Sequence, residues 1–133
     1  MSLPMFPKPG QMKKKPEPIK VFSDGREKVN LNTAEGRAIY LGRKKIMYLR
    51  QDKRCCLFGK FTDGFTGCAG QLRDGRISFD MSMFEHEEGR TGGKIDDRIE
   101  KMVNGKMKWI NGVACPFCNS HKGSRKIYYN EAP

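Results

Sequence analysis

The sequence has little apolar material and no long apolar run. Apolar residues make up 37% of the 133 residues, and no stretch approaches the ~18 consecutive apolar residues of a transmembrane helix. Met1 to Gly10 is interrupted by Pro4, Pro7 and Pro9, so it lacks the apolar core of a secretory signal. We therefore expect one domain without a membrane segment, in the cytoplasm, whose modest core needs additional stabilisation.

Disulfides are not expected to supply that stabilisation. The five cysteines are an odd number, and without a secretory signal the thiols are expected to be reduced and available to a metal ion. A structural zinc ion is the obvious alternative for a domain of this size.

Acidic side chains are few relative to basic ones. The chain has 26 lysines and arginines against 15 aspartates and glutamates, a formal charge of +11. Charge of this size indicates a polyanionic partner, and nucleic acid is the strongest candidate. A basic protein without a specific ligand is the alternative that charge alone leaves open.

The chain is predicted to begin with a flexible tail and continue into a basic helix. Residues 1–20 contain five prolines and the run Lys13 to Lys15, a composition that cannot offset the entropy of ordering, so we assign 1–28 to a basic, disordered tail. Asn32 or Thr33 is expected to cap an amphipathic helix from Ala34 to Asp52. Its apolar residues are expected in the core: Ile39, Leu41, Ile46 and Leu49.

Shorter elements are predicted further along. Turn signals and apolar patterns indicate a hairpin at Asp74-Gly75 between strands at 71–73 and 76–83, a helix from Asp96 or Asp97 to Met102, and a strand from Lys106 to Ile110.

The clearest motif lies near the C-terminal end. Cys115 and Cys118 are separated by two residues, a spacing with which two thiolates bind one tetrahedral zinc ion. Cys68 can complete the set together with Cys55, with Cys56 as the reserve for Cys55. His121 is a weaker alternative ligand, because four cysteines already close a structural site.

These motifs, together with the Glu85-His86 pair, resemble the HNH endonucleases. That family shows an Asp-His or Glu-His pair, a glycine-rich loop, an asparagine before a CxxC, and the signature CxxCNxxKG. The resemblance covers about residues 50–126, on these residues: Glu85, His86, Gly92, Gly93, Asn111, Cys115, Cys118, Asn119, Lys122 and Gly123.

The resemblance implies a fold of the α+β class. We expect a small zinc-stabilised ββα-metal (HNH) domain over residues 29–133, preceded by the basic helix and the disordered tail. Three features depart from the family pattern. Phe58 stands where a second cysteine would follow Cys55, the acid is Glu85 rather than the commoner aspartate, and the loop between Gly93 and Asn111 is long.

The resemblance also implies an activity, the metal-dependent hydrolysis of DNA phosphodiester bonds. His86 would be the general base, Glu85 and Asn119 would hold Mg²⁺ or Mn²⁺, and Asn111 would tie the loop that orients His86. The expected phosphate contacts are Arg90, Lys122 and Arg125.

Two other classes of function remain open. One is a non-catalytic, zinc-stabilised nucleic-acid-binding protein, which the charge and cysteines support equally well. The other is an accessory module that binds a partner protein in a larger DNA-processing complex, as small HNH proteins of phages and mobile elements do. The Glu85-His86 pair discriminates against a simple binding protein, which has no need of it.

Overall fold

The structure is a computed structural model that describes residues 16–89 and 95–130. Within these ranges the chain forms a small mixed α/β fold with two helices and three two-stranded antiparallel sheets. In chain order the elements are β1 (Ile19–Val21), β2 (Glu27–Val29), α1 (Ala34–Arg50), β3 (Met83–Glu85), β4 (Glu100–Val103), β5 (Lys106–Trp109), β6 (Gly112–Ala114) and α2 (Pro116–Lys122).

The described chain begins with a hairpin. β1 pairs with β2 so that Ile19 lies opposite Val29, and the turn is closed by a hydrogen bond from Phe22 N to Arg26 O of 2.8 Å. The hairpin spans residues 19–29 and so overlaps residues 1–28, which the sequence analysis assigns to a flexible tail; regular structure therefore begins before the predicted boundary. Residues 1–15 lie outside the described residues.

Helix α1 begins and ends close to the predicted positions, but it buries a different face. Thr33 is the cap, and its hydroxyl accepts a hydrogen bond from Gly36 N at 2.9 Å. Met47 and Tyr48 are buried, whereas the side chains predicted for the core are 49–54% exposed at Leu41, Ile46 and Leu49. The expectation of a buried apolar stripe is corrected because packing against β6 selects the side of the helix that carries Met47 and Tyr48.

The segment between α1 and β3 forms turns rather than the predicted hairpin. Asp74 and Gly75 do form a turn with positive φ values of 60° and 84°. The flanking residues do not form strands, and the one isolated bridge in this described segment joins Arg54 to Arg76. Gly75 N instead donates to Gly70 O at 2.8 Å, which folds the segment back on itself around the cysteines.

The predicted helix from Asp96 or Asp97 to Met102 is wrong. Residues 100–103 form β4, which pairs with β5 through a turn at Asn104-Gly105. Both turn residues have positive φ, 51° and 78°, the conformation in which an Asn-Gly pair closes a tight hairpin. The predicted strand at 106–110 corresponds to β5.

The third sheet carries the chain into the C-terminal helix. β3 pairs antiparallel with β6, with Phe84 opposite Val113, and β6 leads through Cys115 directly into α2. Two antiparallel strands are thus followed by a helix. This unit packs with α1 around one buried cluster: Met47, Tyr48, Cys55, Leu57, Cys68, Ile77, Phe84, Val113, Ala114, Cys115 and Cys118. Neither described helix has the length and apolarity required to cross a bilayer.

Candidate functional site

Four cysteine side chains converge in the core. The sulfur atoms of Cys55, Cys68, Cys115 and Cys118 all lie within 4.8 Å of one another, and all four residues are buried. Tetrahedral zinc with Zn–S bonds of about 2.3 Å places its sulfurs at similar separations, so the cluster can hold a metal such as zinc. These are the four cysteines selected from the sequence, and Cys56 lies outside the cluster.

Backbone N–H groups point at the sulfur atoms and fix their positions. Cys115 caps α2, and its Sγ accepts from Cys118 N at 3.3 Å and from Ala69 N at 3.4 Å. Cys55 Sγ accepts from Cys115 N at 3.3 Å. Pro116 supplies no N–H and occupies the first helical turn, where none is needed. N–H donors stabilise thiolates, which are the form that binds a metal.

The pKa values of three thiols in the cluster are shifted in different directions. Hydrogen bonding from the Cys118 thiol lowers the pKa of Cys55 to about 6, while burial raises the pKa of Cys68 to about 12. The pKa of Cys118 is raised because its proton is held by Cys55. The cysteine cluster therefore favours one thiolate that accepts hydrogen bonds from neighbouring thiols. A divalent cation would displace the remaining thiol protons.

A cleft of about 310 Å³ gathers most of the predicted catalytic residues, one of which, Asn119, directly follows Cys118 on α2. β3 delivers Glu85 and His86 to it, and α2 delivers Asn119 and Lys122. The cleft is lined by Tyr40, Phe84, Glu85, His86, Gly89, Asn119, Lys122, Gly123 and Ser124. An acid, an imidazole, an amide and an ammonium group thus share one small cavity, although they come from two separate parts of the chain.

Glu85 is buried and ion-paired. Its Oε1 lies 2.7 Å from Lys122 Nζ, and the same ammonium donates to the carbonyl oxygen of His86 at 2.7 Å. Among the described residues Glu85 Oε1 accepts no aligned hydrogen bond. Burial raises the pKa of Glu85 to about 7 against the opposing effect of Lys122. The negative charge of the carboxylate is therefore compensated by the Lys122 ammonium rather than by a full set of hydrogen-bond donors.

His86 is held by an acid that the sequence did not single out as a partner. Its Nε2 lies 2.7 Å from Asp97 Oδ1, with side-chain exposures of 8% and 0%. The ring also stacks on Phe84, with centroids 4.9 Å apart and planes at 26°. Both the plane and the rotation of the imidazole are consequently restrained.

Asn111 connects the segments on either side of His86. Its Oδ1 accepts from Glu87 N at 3.1 Å, and its Nδ2 donates to Asp96 O and Arg98 O at 2.7 Å each. The residue is buried with a positive φ of 61°. Asn111 thus ties the chain after His86 to the loop that carries Asp97.

Glu87, like Asp97, is a buried acid to which the sequence analysis assigned no role in the site. Its Oε1 accepts from Asn111 N at 3.0 Å and from Asn130 Nδ2 at 2.8 Å, and its Oε2 accepts from Tyr129 N at 3.1 Å. Glu87 therefore fastens the C-terminal segment to the start of β6. No spacing signal could have marked Asp97 or Glu87, because both act across loops whose path the sequence does not fix.

The expected phosphate contacts have different surroundings. Lys122 is 1% exposed, and its ammonium is directed at Glu85 and at the carbonyl of His86. Arg125 is exposed and donates to Lys122 O and His121 O, where it satisfies carbonyls at the end of α2. Arg90 lies outside the described residues. His121 pairs with Asp63 at 2.6 Å and is not part of the cysteine cluster.

Comparisons with known proteins give no relative: no family model, curated protein or solved structure matches this chain.

Proposed function

We propose that the chain is a metal-dependent endonuclease of the HNH type that hydrolyses phosphodiester bonds in DNA. One observation carries the proposal: a single cleft brings together Glu85, His86 and Asn119, the last of which directly follows Cys118 of the four-cysteine cluster. The order of β3, β6 and α2 supports it, since two antiparallel strands followed by a helix are what the resemblance to HNH nucleases implies.

In this proposal His86 is the general base. A neutral imidazole can accept a proton from the attacking water, and such assistance contributes about 10²–10⁴-fold to a rate. His86 is one of the residues that line the cleft, and Asp97 and Phe84 restrain its ring, so the imidazole is oriented before substrate arrives. Pre-orientation of this kind lowers the entropic cost of the reaction.

Glu85 and Asn119 are the proposed holders of a divalent ion. Carboxylate and amide oxygens are the donors that Mg²⁺ and Mn²⁺ prefer. Among the described residues Glu85 Oε1 is a buried oxygen that faces Lys122 Nζ but accepts no aligned hydrogen bond. When bound, such an ion supplies positive charge that stabilises the phosphate in the transition state.

The four cysteines are proposed to hold a structural zinc ion. Four protein sulfurs complete a tetrahedral shell and leave no position for water, which is the arrangement of a structural rather than a catalytic zinc. Because Cys115 and Cys118 belong to α2, the ion would fix the helix that carries Asn119 and Lys122.

DNA is the proposed substrate because of the charge of the chain. The formal charge is +11, and exposed basic side chains include Arg37 and Lys45 on α1 and Arg125 after α2. Phosphate contacts of exposed lysines and arginines supply affinity without sequence preference.

Nicking of supercoiled plasmid tests the proposal. Cleavage is expected with Mg²⁺ or Mn²⁺, and His86→Ala should reduce the rate by about 10²–10⁴-fold, the usual contribution of a general base. The matched control is His121→Ala, which removes the other histidine of the chain and should cleave at the wild-type rate. Equal rates for wild type and His86→Ala would refute the proposal.

A second candidate is a non-catalytic, zinc-stabilised nucleic-acid-binding protein. The ion pair between Glu85 and Lys122 favours it, because the ammonium already compensates the carboxylate that a catalytic ion would use. In that case DNA binding would persist without cleavage under any metal condition.

A further inference from the structure

We propose that Asp97 is the positioning residue for His86, and that its carboxylate selects the imidazole tautomer with the proton on Nε2. The inference rests on the proposed function, in which His86 is the general base. It adds a residue that neither the motifs nor the resemblance to HNH nucleases indicated in this role.

The tautomer follows from the chemistry of the contact. Asp97 Oδ1 lies 2.7 Å from His86 Nε2, and an ionised carboxylate can only accept hydrogen bonds. With Asp97 ionised and the ring neutral, Nε2 donates to the carboxylate and Nδ1 carries no proton. Among the described residues Nδ1 has no hydrogen-bond partner. The nitrogen that can accept a proton is thus the one that Asp97 does not occupy.

Asp97 is itself held in place by β2 and α1. Its Oδ2 accepts from Val29 N at 2.8 Å, and its own N–H donates to Glu27 O at 2.7 Å. Arg43 Nη1 donates to the Asp97 carbonyl at 2.8 Å. With its backbone and both carboxylate oxygens engaged, the residue cannot follow a rotating imidazole, so it fixes the ring rather than moving with it.

The contacts also give the N-terminal hairpin a part in the site. Glu27 and Val29 belong to β2, and their backbone groups bond to the Asp97 N–H and to Oδ2, the carboxylate oxygen that does not contact His86. Strand β2 thus holds Asp97 in place, and Asp97 in turn holds the His86 ring. Phe84 restrains the plane of the ring from β3, with Tyr40 stacked on it at 4.4 Å.

Two neighbouring charged groups of the described chain, Lys122 and Asp96, do not contact the His86 ring. Lys122 reaches the carbonyl oxygen of His86 rather than its ring. Asp96 is the adjacent carboxylate, but it forms a paired contact with Arg98 at 2.9 Å through both of its oxygens. Asp96→Asn is therefore a matched control: it removes one carboxylate from the same loop without removing the partner of His86.

Two measurements test the proposal. Long-range ¹H–¹⁵N correlation spectra of the zinc-loaded wild type should show that the neutral His86 imidazole carries its proton on Nε2. In plasmid nicking, Asp97→Asn should lower kcat by at least about tenfold with KM unchanged, because an amide can also donate to Nε2 and no longer imposes one tautomer. Asp96→Asn should stay within about twofold of the wild-type kcat, because the Asp96 carboxylate pairs with Arg98 and not with the His86 ring.

The outcomes separate this inference from the proposed function. A proton on Nδ1 in the wild type would overturn the positioning role, and that measurement requires no variant to fold. Wild-type kcat in Asp97→Asn, with His86→Ala inactive, would also overturn it while leaving the nuclease proposal intact. Wild-type cleavage by His86→Ala would instead refute the nuclease, and the positioning role with it.

Discussion

Lys122 Nζ lies 2.7 Å from Glu85 Oε1 in the protein interior, although one residue belongs to α2 and the other to β3. Their side chains are 0% and 3% exposed. Two opposite charges buried together are a modest source of stability, but removing one of them leaves the other without compensation. The pair therefore couples the helix of the cysteine cluster to the strand that leads to His86.

Lys122→Met tests this coupling. The methionine keeps an unbranched apolar side chain of similar length but leaves Glu85 buried without its cation, so we expect a loss of about 3–5 kcal/mol in unfolding free energy. Urea denaturation of zinc-saturated protein measures it. Lys126→Met is the control, because Lys126 is exposed and should change stability by less than about 0.5 kcal/mol. Equal stability of the two variants would contradict the role of the ion pair.

Metal content tests the cysteine cluster. Wild-type protein purified under reducing conditions should contain about one zinc per chain, and Cys115→Ser should lose both zinc and cooperative unfolding. The expected effect is large because structural zinc contributes on the order of 10 kcal/mol, comparable to the stability of a whole domain. Mass spectrometry of metals and thermal unfolding are the measurements.

Cys56→Ser is the matched control for the zinc prediction. Cys56 is adjacent to Cys55 in sequence, but it is not one of the four clustered sulfurs. The variant should keep about one zinc. Loss of zinc from Cys56→Ser, with retention in Cys55→Ser, would show that the wrong one of the two neighbouring thiols has been assigned.

Asn111→Ala should weaken the loop around His86. The substitution leaves Glu87 N, Asp96 O and Arg98 O without their present partner. A buried polar group without a partner costs about 1–3 kcal/mol, so we expect a loss of about 3 kcal/mol in chemical denaturation. Asn104→Ala is matched for backbone strain, since Asn104 also has a positive φ but is exposed in a hairpin turn. If both variants lose the same unfolding free energy, backbone strain at positive φ, rather than the loss of hydrogen bonds, explains the effect of Asn111→Ala.

The affinity for duplex DNA should fall steeply with salt. Each phosphate contact contributes about 0.9 to the slope of log K against log salt concentration. Changing four lysines of the N-terminal segment to glutamine, at positions 8, 13, 14 and 15, should reduce that slope by up to about 3–4 without changing zinc content. Fluorescence anisotropy over a salt series is the measurement. An affinity independent of salt would refute the electrostatic interpretation of the charge.

Some features were predictable because they depend on neighbours in sequence. The Cys-x-x-Cys spacing fixes two sulfurs on one helical turn, and a cap at Asn32 or Thr33 marks the start of α1, where Thr33 takes that role. The Asp74-Gly75 pair forms a turn where expected because both residues tolerate positive φ. Prediction from local sequence signals was wrong for residues 100–103, which pair with β5 as a strand instead of forming a helix.

The sequence by itself predicted the four clustered cysteines, the extent of α1 to within two residues, and four residues that line the cleft: Glu85, His86, Asn119 and Lys122. Only the tertiary structure decided which face of α1 is buried, that Lys122 pairs with Glu85, and that Asp97 holds His86. The physical reason is the range of the interactions. Caps, turns and metal-ligand spacings act over a few residues, whereas buried charges find their partners only after distant segments have packed together.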